Sequence, residues 1–178
     1  MYILTEITDV GGSEFDSLFS SSLYHMDAGT FSWGFLDNPQ TEEEKRESMR
    51  NKFYHILDKT KILNGVGLLW KKDDVPIHLA IGVFNSFDSN YLTFIYALYG
   101  PDANGSKSWL HDEDYLTITK DFFVTQYGIA GYKINCINNS TIMNYHLNKP
   151  QNLYDITVDD VYSTANGIDL AKISYTYK

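Results

Sequence analysis

The sequence predicts a single α+β domain, a mixed sheet of about six or seven strands flanked by about three or four helices. Three features support that fold class. Strand-like apolar segments recur at 61–70, 75–84, 91–99 and 131–137. Helical apolar spacing with recognisable starts or stops recurs at 13–25, 41–59 and 109–127. A strand, a helix and a strand follow one another over 91–137, which implies a parallel pair joined by a right-handed crossover. At 178 residues the chain fits one domain, residues 1–178, with room for a real core and with no repeat or linker.

In chain order, residues 2–9 read as a first strand ended by Gly11-Gly12. Ser13 can cap a helix carrying Phe15, Leu18, Phe19 and Leu23. Residues 27–40 form a loop rich in Gly, Pro and aromatics that either folds over the core or lines a binding site. Thr41-Glu-Glu-Glu44 is a capping box opening a helix with Met49, Phe53, Ile56 and Leu57 on its core face and His55 off it. Segments 61–70 and 75–84 pair through the polar hairpin Lys71-Lys-Asp-Asp74. Residues 91–99 are apolar on both faces, as expected of a central strand. A polar loop, Gly100 to Ser108, precedes the helix 109–127, for which Gly128 is a stop. The strand 131–137, a short helix, and strands at 152–163 and 168–177 around an Asn166-Gly167 turn complete the order. Asp73-Asp74 and Asp159-Asp160 read as solvated turns.

Composition limits the function. A formal net charge of −9 disfavours nucleic acid and anionic membranes as partners and suits a cationic ligand such as an amine. The single cysteine, Cys136, excludes an intramolecular disulfide and reads as a small buried thiol in an apolar strand. With no basic leader or long apolar run, the chain is expected to be cytoplasmic. One cysteine and five scattered histidines offer no zinc spacing. Neither a Gly-x-Ser-x-Gly elbow nor a Walker loop is present. The abundance of Tyr and Trp raises a carbohydrate-binding β domain, but the three helix signals oppose it.

The most informative stretch is Ile134-Asn-Cys-Ile-Asn-Asn-Ser-Thr-Ile-Met-Asn-Tyr145: a short buried strand, a polar cap, and a helix ending in a tyrosine. Asn138 and Tyr145 lie seven residues apart, about two turns, and so share one side of that helix. A capped helix with a buried aromatic would give the same spacing.

Both this spacing and the element order resemble the GNAT (Gcn5-related N-acetyltransferase) superfamily, of which the chain would be a divergent member. The resemblance implies that the strands at 91–99 and 131–137 splay and receive the pantetheine arm of acetyl-CoA. It implies a pyrophosphate cradle in the loop after the first of them, with Gly100, Asn104, Gly105, Ser106, Lys107 and Ser108 as candidates. Leu98 or Tyr99 would offer a backbone N–H to the thioester carbonyl, and Asn138 would border the cofactor. Tyr145 would be the general acid for the departing thiolate, and His78 is a candidate base. The acceptor would be an amine of a small molecule or peptide.

Several positions depart from the family pattern. Asp102 stands where the cradle has Gln or Arg, Lys107 stands where it has a small residue, and no Gly-Phe follows Tyr145. Asp112, Glu113 and Asp114 suit a helix N-terminus but would repel a pyrophosphate. These departures support a second reading, a non-catalytic GNAT-like binding or structural module, of viral type for instance, that has lost the cofactor site.

Overall fold

The computed structural model describes residues 1–12, 15, 16, 18, 25, 26, 41–84, 90–100, 108–149, 152–165, 167 and 169–178. Its strands are β1 (Tyr2–Ile7), β2 (His25–Met26), β3 (Val66–Lys72), β4 (Val75–Phe84), β5 (Tyr91–Tyr99), β6 (Gly131–Ile137), β7 (Tyr154–Ser163) and β8 (Asp169–Tyr177). Its helices are α1 (Glu42–Lys59), α2 (Glu113–Phe122) and α3 (Ser140–Leu147). The strands form one mixed sheet in the order β1-β3-β4-β5-β6-β8-β7, with β2 attached to β5 beside that path. All pairings are antiparallel except β5 with β6. The predicted α+β class and crossover are therefore both present.

Two layers cover the two faces of the sheet. On one, Met49, Phe53 and Ile56 of α1 meet Leu69, Leu79, Ile81 and Leu98. The capping box sets where α1 begins: Glu44 N–H donates to Thr41 Oγ1 at 3.1 Å, and Thr41 N–H donates to Glu44 Oε2 at 3.2 Å. On the other face, Tyr115, Leu116 and Phe123 cover an aromatic row that crosses four strands. Trp70 meets Phe94 at 6.2 Å, Phe94 stacks on Tyr132 at 5.2 Å, and Tyr132 stacks on Tyr175 at 4.7 Å. Buried hydroxyl and indole groups need partners. Trp70 Nε1–H donates to Thr119 Oγ1 at 2.8 Å, and Thr119 Oγ1–H donates onward to the Tyr115 carbonyl at 2.9 Å.

Four local expectations are corrected. The strand predicted from residue 61 begins at Val66, because Lys61–Leu63 is a 3₁₀ turn ended by Asn64 in the left-handed region at φ 54°. The hairpin turn is then Asp73-Asp74 alone, with φ of 49° and 67°, and β3 runs through Lys72. Two positive φ values suit a two-residue hairpin whose twist matches the strands. The helix predicted over 109–127 is three pieces: a 3₁₀ turn at Ser108–His111, α2, and a π-helical turn at Phe123–Tyr127. The first break falls at Asp112, whose extended backbone and side chain cap Asp114 N–H. Asp159-Asp160 is no turn: it lies inside β7 at a register shift, with Asp159 accepting from Ser174 and Thr157 hydroxyls. Phe15 and Leu18 are buried, as predicted, but most of the helix expected at 13–25 and all of the loop 27–40 lie outside the described residues, and His25, at the expected end of that helix, is instead in β2.

Candidate acyl-transfer site

The parallel strands β5 and β6 pair only at Tyr91↔Gly131, Leu92↔Tyr132 and Thr93↔Lys133. Beyond Thr93, toward their C-terminal ends, the two strands no longer pair, although β5 runs on to Tyr99 and β6 to Ile137. That is where ligands bind in open sheets with parallel strands. On its other edge β5 pairs with β4 throughout, with a register shift at Ile81/Gly82 that leaves Ile95 as an extra residue on β5. A bulge of this kind takes one residue out of the ladder and re-aims its backbone groups.

At the far end of β5 the backbone is already engaged. Leu98 faces Leu79 on β4 and Met26 on β2, and Tyr99 faces His78 and His25. With β4 on one edge, β2 must lie on the other, the edge on which β6 pairs further back. Gly100 N–H donates to the Ile77 carbonyl at 2.7 Å, and the Gly100 carbonyl accepts Trp109 Nε1–H at 2.8 Å. Between the β6 pairing and the β2 pairing, Phe94 to Ala97 is the stretch of this edge that no described strand covers.

The expected site residues divide into those placed and those outside the description. Leu98 and Tyr99 are buried at the end of β5, and Gly100 follows them. Asn138 is exposed between β6 and α3, and its N–H donates to the Asp169 carbonyl. Tyr145 lies in the last turn of α3, but its side chain is outside the description. Asn104, Gly105, Ser106 and Lys107 lie outside the described residues, and Ser108 opens the 3₁₀ turn with its side chain likewise outside. The carboxylates at the start of α2 are held by the protein itself: Asp112 accepts from Asp114 N–H at 3.0 Å and from the Tyr2 hydroxyl at 2.8 Å.

His78 is 1% exposed. Its ring stacks on Trp70 at 4.1 Å, with Tyr99 at 4.5 Å and Trp109 at 5.8 Å. Nδ1 shares a 2.8 Å hydrogen bond with the Tyr115 hydroxyl, while Nε2 has no hydrogen-bond partner among the described residues. Burial first, and then the nearby positive charge of Lys149, hold its pKa well below the ordinary histidine value. The imidazole is therefore neutral at neutral pH.

Sequence reasoning missed three participants. β2 is only two residues long and pairs with a strand about seventy positions away, so no local pattern announces it. Lys149 is 6% exposed, with Nζ at 4.6 Å from the centre of the Tyr175 ring, and nothing in Asn148-Lys-Pro150 marks a buried lysine. Trp109 opens the segment read as a helix, and its bond to the Gly100 carbonyl spans a loop that no local pattern describes. Among the described residues no group of His, Cys, Asp and Glu is arranged to hold a metal.

No family model matches the chain, and no curated protein matches it by sequence. Solved structures do resemble it. One is a Desulfovibrio desulfuricans protein described as an acetyltransferase of the GNAT family, with a TM-score of 0.56 at 9% identity over 99% of both chains. Another is a spermidine N-acetyltransferase SpeG chimera from Vibrio cholerae and hSSAT, with a TM-score of 0.55 at 11% identity over 98% of this chain and 95% of that one. A third is the Escherichia coli ribosomal-protein-S18-alanine N-acetyltransferase, with a TM-score of 0.50 at 11% identity over 100% and 95%. The class these likenesses define is structural: the chain has the GNAT fold.

Proposed function

We propose that this protein is an acyl-CoA-dependent N-acyltransferase that moves an acetyl group onto an amine. One observation carries the proposal: in a chain of GNAT fold, β5 and β6 pair over three residues only, although both strands run on beyond them. Where two parallel strands stop pairing, an extended amide-bearing ligand can hydrogen-bond the strand edge between them. Acetyl-CoA would supply an activated thioester carbonyl beside that edge. A backbone N–H of β5 near the bulge or near Leu98 would polarise it. Tyr145, in the last turn of α3, is assigned the proton given to the sulfur when the C–S bond breaks. The proton lost by the amine passes to solvent; His78, sealed beneath Trp109 and Tyr99, is better suited to positioning Tyr99 than to meeting an acceptor. The acidic character of the chain favours a positively charged acceptor, a small-molecule or peptide amine.

A second reading is supported by the start of α2. There Asp112, Glu113 and Asp114 place carboxylates at a helix end that would otherwise attract a pyrophosphate. On that reading the fold is a non-catalytic binding or structural module. Calorimetric titration of acetyl-CoA, beside desulfo-CoA and ATP, decides between them. Micromolar binding of acetyl-CoA with much weaker ATP binding is expected for the enzyme. Silence at millimolar acetyl-CoA would leave the module.

A further inference from the structure

We propose that the cavity at the end of β1 is a binding site for a monovalent organic cation, an ammonium group carried on a compact apolar body. The inference stands apart from the acyltransferase reading. The cavity lies at the end of the sheet where β5 and β6 are paired: of its lining residues, Gly67 and Val66 face Ile81 and Gly82 on β4, and Gly82 faces Phe94 on β5. The acyl-transfer region lies at the other end, toward Tyr99 and Ile137.

The cavity has a volume of about 420 Å³ and is bounded by the end of β1, the last turns of α1, the 3₁₀ turn that follows and the start of β3. That size falls among small-molecule sites, roughly 300–1,000 Å³. Its walls are mainly apolar: Ile7, Leu57 and Val66 supply aliphatic surface and Tyr54 supplies a ring. Tyr54 is fixed at its hydroxyl, which donates to Asp9 and accepts Val10 N–H at 2.9 Å. Charge then selects the ligand. Three charged side chains line the cavity, and two of them, Asp58 and Lys61, pair at 3.0 Å. The third, Glu6, has no cationic partner among the described residues, so the lining keeps one unbalanced negative charge. Glu6 is also oriented. The π-helical turn after α2 ends in Tyr127, whose hydroxyl donates to Glu6 Oε2 at 2.7 Å. π-Helical turns are frequent at functional sites. A neutral donor thus fixes one carboxylate oxygen without cancelling the charge, and Oε1 is left to accept from a ligand. An ammonium would meet Glu6, its apolar body would meet Leu57 and Val66, and the Tyr54 ring adds a face that attracts cations. A divalent metal needs several oxygen ligands, and among the described residues no group of His, Cys, Asp and Glu is arranged to hold one. A polycation would find one free carboxylate and the Lys61 charge beside it.

The test is an NMR titration of the full, isotope-labelled chain with benzylammonium, beside benzyl alcohol as its neutral analogue and spermidine as a polycation. Saturable binding of benzylammonium is expected, with the largest amide shifts at Thr8, Gly65 and Gly67. Its affinity should exceed that of benzyl alcohol by about fivefold or more, the scale of a partly exposed charge-assisted contact. Glu6→Gln keeps an oxygen for the Tyr127 hydroxyl and removes the charge. In that variant benzylammonium should fall to the benzyl alcohol level while benzyl alcohol itself is unchanged, and thermal melting checks that the variant is folded. Equal affinity for the amine and the alcohol overturns the proposal. So does full benzylammonium affinity in Glu6→Gln, or the absence of saturable shifts at Thr8, Gly65 and Gly67. Tighter binding of spermidine at the same amides overturns the choice of a monocation. Amine shifts at Leu98, Tyr99 and Asn138 alone overturn the cavity site and support the acyltransferase reading instead.

Discussion

His78 shows what single-residue burial costs and what it makes measurable. A histidine this deeply buried stays neutral in the folded protein at pH values where the unfolded chain takes up a proton. Below about pH 6.5 the unfolded state therefore binds more protons than the folded state, and stability falls as pH falls. His78→Phe keeps a ring against Trp70 and removes the titration. Urea denaturation across pH 4.5–7.5 is expected to show the native protein losing up to about 1.4 kcal/mol per pH unit more than the variant below about pH 6.5. Parallel curves would mean that His78 gains its proton in place. Tyr145 permits a complementary test. Tyr145→Phe should lower turnover about a hundredfold or more, the scale of general acid catalysis, while acetyl-CoA affinity stays within about twofold. Loss of affinity together with turnover would assign the tyrosine to packing. The sequence singled out both residues. It contained the seven-residue spacing from Asn138 to Tyr145, but the helix begins at Ser140 and Asn138 precedes it, bonded to Asp169, so the two do not share a helix face by periodicity. It could not show that His78 lies under Trp109 and beside Tyr99 and Tyr115, because those contacts span three separated segments.

At the scale of elements, legibility follows the range of the interactions that define each boundary. α1 starts where the capping box says, since Thr41 and Glu44 are three residues apart. The run 109–127 reads as one helix by periodicity, yet it breaks at Asp112, which bonds Tyr2 across the molecule. β2 has no pattern of its own. Gly131 makes the long-range constraint on β6 explicit. A Cβ built there would lie 2.0 Å from the Tyr175 carbonyl oxygen, a backbone atom that cannot swing aside. It sits opposite Thr176 in the β6–β8 ladder and opposite Tyr91 at the parallel join. Gly131→Ala is therefore expected to destabilise by more than about 2 kcal/mol, read from the urea midpoint. A loss under about 0.5 kcal/mol would show that β6 and β8 separate easily here.

Over the whole molecule, the order of the described elements from α1 onward was readable because most of them announce themselves locally and connection rules leave few ways to join them. The resulting sheet has helices on both faces, which a carbohydrate-binding sandwich of strands would not. The crevice was inferred from resemblance alone, since nothing in 91–99 or 131–137 states how far the two strands stay together. The three-residue join has a mechanical consequence. The two parts of the sheet, β1-β3-β4-β5 and β6-β8-β7, are joined by three residue pairs and by the ring stack from Phe94 through Tyr132 to Tyr175. Any change in the angle between those parts is therefore expected to move Phe94 against Tyr132.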